Sequence, residues 1–268
     1  MKRYSIPLFL FLTFVFAWSM WLPAALTKLN SGTSILGPDG VGQFGRWAPG
    51  IAAIILTAIL LGKQGLGDLF RPLKIWRVDV GWYLFALLFQ PGLFFIAKWI
   101  DALLGNIYEI NSPLTTGVEA PIAFVIPVVI ITAVPGAFIE ELGWRGFALP
   151  RLQNKNTALN ASIILGLIWG IWHIPSMLYF GETNSLTIGL AVLNTIPLVI
   201  LFTWLFNNTQ GSLMLVMLFH ASLQYSNNFL GTIPSGTAGI ITWLVAITVL
   251  ISTGANNLSK SNERIQSD

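Results

Sequence analysis

Residues 122–149 read IAFVIPVVIITAVPGAFIEELGWRGFAL. No charged side chain occurs from Ile122 to Ile139, and then Glu140 and Glu141 stand side by side, with Arg145 one helical turn on. An apolar stretch of about 20 residues is what a helix needs to cross a bilayer. A charged group at membrane depth costs roughly 3 kcal/mol on insertion scales. A membrane span that carries two carboxylates therefore announces both its class and a candidate site.

The rest of the chain agrees with that reading. Of its 268 residues 54% are apolar and only 9% charged, with a mean hydropathy of +0.72. Soluble domains carry about 25% charge, and a soluble core of this size could not hide so much apolar surface. Cysteine is absent, which excludes a disulfide framework, a cysteine nucleophile and thiolate metal sites. The net charge of +3 is small and its basic residues are scattered over loops, so nucleic acid is not an expected partner.

Working outward, the hydropathy predicts eight spans: Ser5–Leu26, Trp47–Leu61, Trp82–Leu104, Ile122–Leu149, Leu159–Phe180, Leu186–Phe206, Leu213–Leu230 and Ile240–Thr253. Residues Gly65–Arg77 alternate apolar and basic side chains and are expected to form an interfacial amphipathic helix. With both termini placed in the cytoplasm, eleven of the fourteen Lys and Arg fall inside and only Lys28, Arg46 and Lys98 outside, as the positive-inside rule requires. The first apolar run is about twenty residues, longer than a signal h-region, so a retained span is expected. The fold class expected is all-α, a polytopic bundle forming one structural domain. Within it, residues 1–121 hold the N-terminal helices, 122–230 the polar core, and 231–268 the last helix and a cytoplasmic tail.

The two histidines of the chain, His173 and His220, also lie inside apolar segments. At about 1.5 Å per residue, Glu140, His173 and His220 fall at similar depths near the middle of the bilayer, slightly to its cytoplasmic side. Facing sharpens the picture. Gly136, Glu140 and Gly143 share one stripe, as do Gly166, Gly170 and His173, and the two stripes are expected to pack together and bring Glu140 near His173. His220, Gln224 and Asn227 form a third polar stripe. Glu141 and Arg145 have the spacing of an ion pair. Pro135 and Pro175 free backbone carbonyls close to these groups.

Such a set can hold a divalent metal whose bound water becomes nucleophilic. Equally, a glutamate helped by histidine can act as general base on water without metal. Either route hydrolyses an amide. There is no Gly-x-Ser-x-Gly elbow and no His-Glu-x-x-His motif, so the groups must come from different helices. Intramembrane Glu and His also serve proton relays, but no inverted repeat of a transporter is evident.

The segment Glu140-Glu141-Leu-Gly-Trp-Arg145 resembles the first motif, Glu-Glu-x-x-x-Arg, of the CPBP intramembrane protease family, which includes the CAAX prenyl endoproteases of the Ras-converting type and the bacterial Abi proteins. Trp169-Gly-Ile-Trp-His173 resembles its second motif, an aromatic residue followed by x-x-x-His. His220-Ala-Ser-Leu-Gln224 resembles the third, His-x-x-x-Asn/Asp, with Gln224 in place of the shorter residue. The resemblance covers about Ile122–Leu230. It implies an eight-helix fold in the cytoplasmic membrane and hydrolysis of a peptide or protein substrate, lipidated in the CAAX branch. Glu140 and His173 would activate water, directly or through a metal. Glu141 and Arg145 would orient them, and His220 and the residue at 224 would bind the oxyanion or a metal. Glu140, His173 and His220 are the candidate ligands of a divalent metal, zinc foremost. Bacterial members are also linked to bacteriocin self-protection, so a binding protein without hydrolysis is the alternative.

Overall fold

The computed structural model describes residues 5–38, 40–106, 135–229, 235–260 and 264–267, with the side chains of residues 225, 227–229 and 235 left out of the description. Among the described residues every regular element is helical. Helix α1 is Ser5–Leu29. A tight 3₁₀ segment, Val41–Trp47, leads into α2, Ala48–Phe70. Helix α3 is Val80–Leu103. Helix α4 is described from residue 135; it is α-helical over 135–141, widens into a π-helical segment Leu142–Ala148 and recovers over Leu149–Gln153. Next come α5, Ala158–Trp172, and α6, Ile174–Tyr179. Helices α7, Ser185–Asn208, α8, Leu213–Phe229, and α9, Ser235–Thr253, complete the bundle.

Local chemistry sets several of these ends. Asp79 accepts from Gly81 N at 2.8 Å to start α3, Thr157 accepts from Asn160 N at 3.1 Å to start α5, and Asn184 accepts from Leu186 N at 2.9 Å to start α7. Each side chain satisfies an N–H that has no carbonyl four residues back. At α5 the capping is shared: the backbone beyond α9 returns so that Ala158 N and Leu159 N donate to the carbonyls of Asn256 and Ala255 at 2.8 and 3.0 Å. Inside α2, Gly62 takes φ 63°, ψ −154° and breaks the helix. That conformation is open to glycine at little cost. The segment beyond the break runs to Phe70 and tightens into 3₁₀ geometry over Arg71–Lys74. The amphipathic helix expected over Gly65–Arg77 is thus the tail of α2 and ends three residues early.

Among the described residues six helical stretches are long and apolar enough to cross a bilayer, and they correspond to the first, second, third, fifth, sixth and eighth expected spans. The seventh is helical, with a shorter apolar part, Leu213–Gln224. The fourth is described only from residue 135; its stretch from Ile122 to Val134 lies outside the described residues. The chain is an all-α, multi-pass membrane protein. Its outer faces carry Phe11, Ile59, Trp99, Leu186 and Ile251, all well exposed, a surface that only lipid accommodates.

The bundle closes around aromatic seams. Phe85 packs on Trp204 and Phe219 with centroids 5.0 and 5.2 Å apart, joining α3 to α7 and α8. Trp21 of α1 lies 4.8 Å from Trp172, and Trp144 of α4 lies 5.7 Å from the same ring. The glycine stripes behave differently from the expectation. A Cβ on Gly166 would sit 2.9 Å from Ile196 Cα, and one on Gly170 would sit 2.9 Å from Val192 Cα, so this stripe seats α5 on α7 rather than on α4. Gly143 presses on Pro49 of α2, and Gly136 faces Gln224 of α8. Close backbone approach needs a partner with a matching flat face, and each stripe finds its own.

Candidate active site

The site is built on three helices: α4, α8 and the α5–α6 junction. Its first element is the π-helical segment of α4. There the N–H of Leu149 donates to the carbonyl of Trp144, five residues back, where an α-helix would use four. Single π-turns of this kind concentrate at functional sites because they redirect side chains by a fraction of a turn. Gly143 lets this widened segment lie against Pro49, and Gly50 in turn meets the carbonyl of Ile139. Glu140 therefore stands level with the first turn of α2.

Glu140, Glu141 and Arg145 are all buried, and the two adjacent carboxylates diverge. Glu141 Oε1 accepts from Arg145 Nη1 at 2.7 Å and pairs with His220 Nδ1 at 2.7 Å. The guanidinium of Arg145 lies over the ring of Phe202 at 3.9 Å and that of Trp169 at 5.3 Å. A fully buried arginine is thus held by one carboxylate and two aromatic faces. Breaking such a buried pair from one side costs about 3–5 kcal/mol, because the other charge is left alone.

Glu140 turns the other way. Trp169 Nε1 donates to Glu140 Oε2 at 3.5 Å, and the backbone carbonyl of Trp169 accepts from His173 Nδ1 at 2.8 Å. Trp169 is the hub of the site: its ring also lies 5.2 Å from His173 and 5.7 Å from His220. The sequence marked Trp169 as part of a motif and gave it no role. The signal was its position four residues before His173, which on a helix places its carbonyl under the histidine ring.

The tautomers follow from these partners. His173 gives its Nδ1 proton to a carbonyl, and His220 gives its own to Glu141, so each Nε2 keeps a lone pair. Gln224 Nε2 lies 3.3 Å from His220 Nε2 and can donate to it. This leaves the second amide proton of Gln224 for another acceptor. Gly136 faces this side chain: a Cβ built there would lie 3.8 Å from both Gln224 amide atoms, an ordinary contact. Asn227, the third member of the expected stripe, has its side chain outside the described residues, as does Asn228.

Metal ligation can be weighed on the same contacts. Histidines that bind metal commonly fix one ring nitrogen on a carbonyl or carboxylate and offer the other, and both His173 and His220 do so. The donor types of Glu140, His173 and His220 therefore suit zinc or a similar ion. Their spacing does not close on one point: among the described residues no three His, Cys, Asp or Glu side chains converge as a metal set requires.

One cation far from the site in sequence acts on it through space. The charge of Arg46, in the 3₁₀ segment before α2, is within electrostatic reach of both Glu140 and His173.

Comparison with known proteins bears on the same residues. Residues 121–226 match the family model described as Rce1-like, type II CAAX prenyl endopeptidase. The chain is 25% identical over 241 residues to the CAAX prenyl protease 2 of Methanococcus maripaludis, a match covering 85% of this chain and 86% of that protein. It is 26% identical over 194 residues to the lysostaphin resistance protein A of Staphylococcus haemolyticus, covering 70% of this chain and 49%, about half, of that protein. Glu140, Glu141, Arg145, Trp169, His173, His220 and Gln224 all fall inside the matched segment.

Proposed function

We propose that this chain, whose residues 121–226 match the Rce1-like family model, is an endopeptidase of the CPBP intramembrane kind whose catalytic water is activated by Glu140 and His173. One observation carries the reading: Trp169 ties the carboxylate of α4 to the histidine that ends α5, through Nε1 and through its carbonyl. Glu140 Oε2 takes the indole N–H, which leaves Oε1 to accept from a water. His173 Nε2 offers that water a second acceptor. The water gives one proton to Glu140 as its oxygen adds to the peptide carbonyl, and the carbonyl π electrons move to oxygen. The free amide proton of Gln224 is the donor for that oxyanion. Collapse of the tetrahedral species returns the electrons, breaks the C–N bond and passes the Glu140 proton to the leaving amine. Glu141, Arg145 and His220 hold this side of the site in place.

Glu140, His173 and His220 carry donor types that would suit a transition metal, zinc foremost, once their side chains draw together on it. Bound there it would supply Lewis-acid polarisation of the water or carbonyl. The substrate is a peptide or protein within the cytoplasmic membrane, lipidated if the activity follows that of the CAAX relatives.

The test is cleavage by detergent-purified protein of a membrane-anchored peptide. Glu140→Gln and His173→Ala should each lower kcat by at least about 10²-fold, in the range of losing a positioned acid–base group, with unchanged thermal unfolding. Full activity in either variant would sink the assignment. Likeness to a protein named for lysostaphin resistance favours a second reading, a membrane protein that protects by binding alone. If a Glu140→Ala chain still protected a sensitive strain, that reading would replace the first.

A further inference from the structure

The end of the bundle where α2 and α4 finish carries a cavity that the proposed chemistry does not use. Its volume is about 170 Å³, where a single water needs about 10–15 Å³. Packing brings its walls together from distant parts of the chain: the tail of α2, the end of α4 and the returning residues 265–267. Backbone choices keep it open. Gly62 breaks α2 at φ 63° just before this wall. Gly146 stands on the opposite element, where a Cβ would press on Leu213 at 3.3 Å and on Leu69 at 3.4 Å. The returning tail is fixed by hydrogen bonds. Gln153 Nε2 donates to the carbonyl of Ile265 at 2.7 Å, Gln266 Nε2 to that of Gln153 at 2.9 Å, and Asn154 Nδ2 to that of Ser267 at 2.8 Å. Leu61 lines the cavity and is 37% exposed, so one apolar wall continues onto the outer surface.

Three charged side chains face this space: Asp68, Arg71 and Arg151. Asp68 and Arg71 meet at 3.5 Å with both side chains well exposed, an ion pair that water weakens. Arg151 is held differently. It is partly buried, its guanidinium lies 3.7 Å from the centre of the Phe147 ring, and its Nη1 donates to the carbonyl of Phe147 at 2.9 Å. The ring fixes the plane of the fork, and the carbonyl takes one of its five N–H groups. Among the described residues no carboxylate comes within 4.0 Å of Arg151. A cation partly withdrawn from water calls for an anion. Gln266 and Ser267 add hydrogen-bonding groups to the same walls, and Phe206 an apolar one.

We infer that this cavity binds a phosphate group, presented by an anionic phospholipid of the surrounding leaflet. The orientation expected from the charge distribution places this end of the bundle at the cytoplasmic face. That leaflet holds the anionic lipids, and basic pockets between helices suit their headgroups. The free edge of the Arg151 fork matches two phosphate oxygens, with Arg71 covering the outer side. Two arginines against one aspartate leave the wall net positive, which disfavours a headgroup that carries its own ammonium. Leu61 leads the acyl chains back to the lipid-facing surface. Gly146 belongs to the π-helical segment of α4, so an occupied cavity braces that segment and stabilises the fold.

The experiment uses the full-length protein, delipidated in detergent, with three probes: dioctanoyl phosphatidylglycerol, dioctanoyl phosphatidylcholine and inorganic phosphate. Binding is read by native mass spectrometry and by thermal unfolding. Phosphatidylglycerol should bind at least about tenfold more tightly than either other probe, the order of one hydrogen bond to a charged group, and should raise Tm. Arg151→Gln should erase both effects and leave Tm without lipid, and cleavage in lipid-free detergent, as in the wild type. Arg151→Lys keeps the charge without the fork and should recover part of the affinity. Arg71→Gln, at an exposed position, should weaken binding by a smaller factor. Equal binding of the two lipids, or binding of phosphatidylglycerol that survives Arg151→Gln, overturns the inference. Inorganic phosphate that binds as tightly as phosphatidylglycerol overturns the lipid as its source. So does a wild type that gains nothing from lipid beside an Arg151→Gln chain that unfolds earlier, since the arginine would then serve the fold alone. Neither readout requires cleavage, so the inference stands or falls apart from the peptidase reading.

Discussion

Glu141 Oε1 receives two hydrogen bonds of equal length, from His220 Nδ1 and Arg145 Nη1, each at 2.7 Å, so one oxygen of the carboxylate beside the proposed base holds both a histidine and an arginine. This division of labour between adjacent glutamates leads to a contrast. Glu141→Gln keeps the shape but cannot serve two donors with one neutral oxygen as well. Its unfolding free energy should fall by about 3–5 kcal/mol, the cost of breaking a buried pair from one side. Glu140→Gln should leave stability within about 1 kcal/mol, since only a 3.5 Å indole contact is altered. Thermal or denaturant unfolding in one detergent checks both. Equal losses would mean that the two carboxylates do not differ as described.

The glycines of α4 separate in the same way. Gly143→Ala places a Cβ 2.4 Å from Pro49 backbone carbon, while Gly136→Ala meets only the Gln224 amide at 3.8 Å. Gly143→Ala should destabilise by about 1–3 kcal/mol, the range for overpacking. Gly136→Ala adds only an ordinary contact and should leave both Tm and kcat near wild type. A stable Gly143→Ala chain would show that α2 and α4 can part there without cost.

Gln224 reaches His220 across 3.3 Å and supplies the proposed oxyanion donor. Gln224→Ala should lower kcat by about 10²–10³-fold, the loss seen when such a donor is removed, with KM nearly constant. A rise in KM alone would place Gln224 in ground-state binding.

Metal is tested by content as well as by activity. About one transition ion per purified chain, lost from both His173→Ala and His220→Ala, with zinc restoring content and cleavage after chelation, would show that these side chains draw together on a metal. Cleavage that resists chelation in metal-free protein would leave Glu140 acting as a base on water alone.

At the far end of the bundle the chain returns to clasp itself. Gln153 and Asn207 exchange amide hydrogen bonds of 3.2 and 2.8 Å, and Gln153 Nε2 also donates to the carbonyl of Ile265 at 2.7 Å. Gln153→Leu strands these partners and should cost about 1–3 kcal/mol while leaving kcat near wild type. Loss of activity at full stability would mean that the clasp communicates with the site.

Much of this molecule was legible in one dimension. The class followed from the scarcity of charge, because a helix that faces lipid must be apolar over its whole length. The Glu141–Arg145 pair followed from its spacing, because four residues is one helical turn whatever lies around it. His173, His220 and the glutamates stood out because lipid makes every ionisable group conspicuous. The expected meeting of the glycine stripes of α4 and α5 did not hold: Gly166 and Gly170 bear on α7, since a flat face says that something approaches closely and not what.

What the sequence determined by itself is therefore everything governed by period and solvent: helices, their apolar faces, and the residues too polar to be there without reason. Only the tertiary structure decided which partner each of those residues meets. Standing at adjacent positions of α4, Glu140 meets Trp169 while Glu141 meets His220. The 3₁₀ segment brought the charge of Arg46 within electrostatic reach of Glu140 and His173 from about a hundred residues away in sequence. Contacts of that kind depend on how several helices pack at once, and packing is a property of the whole volume that no local pattern encodes.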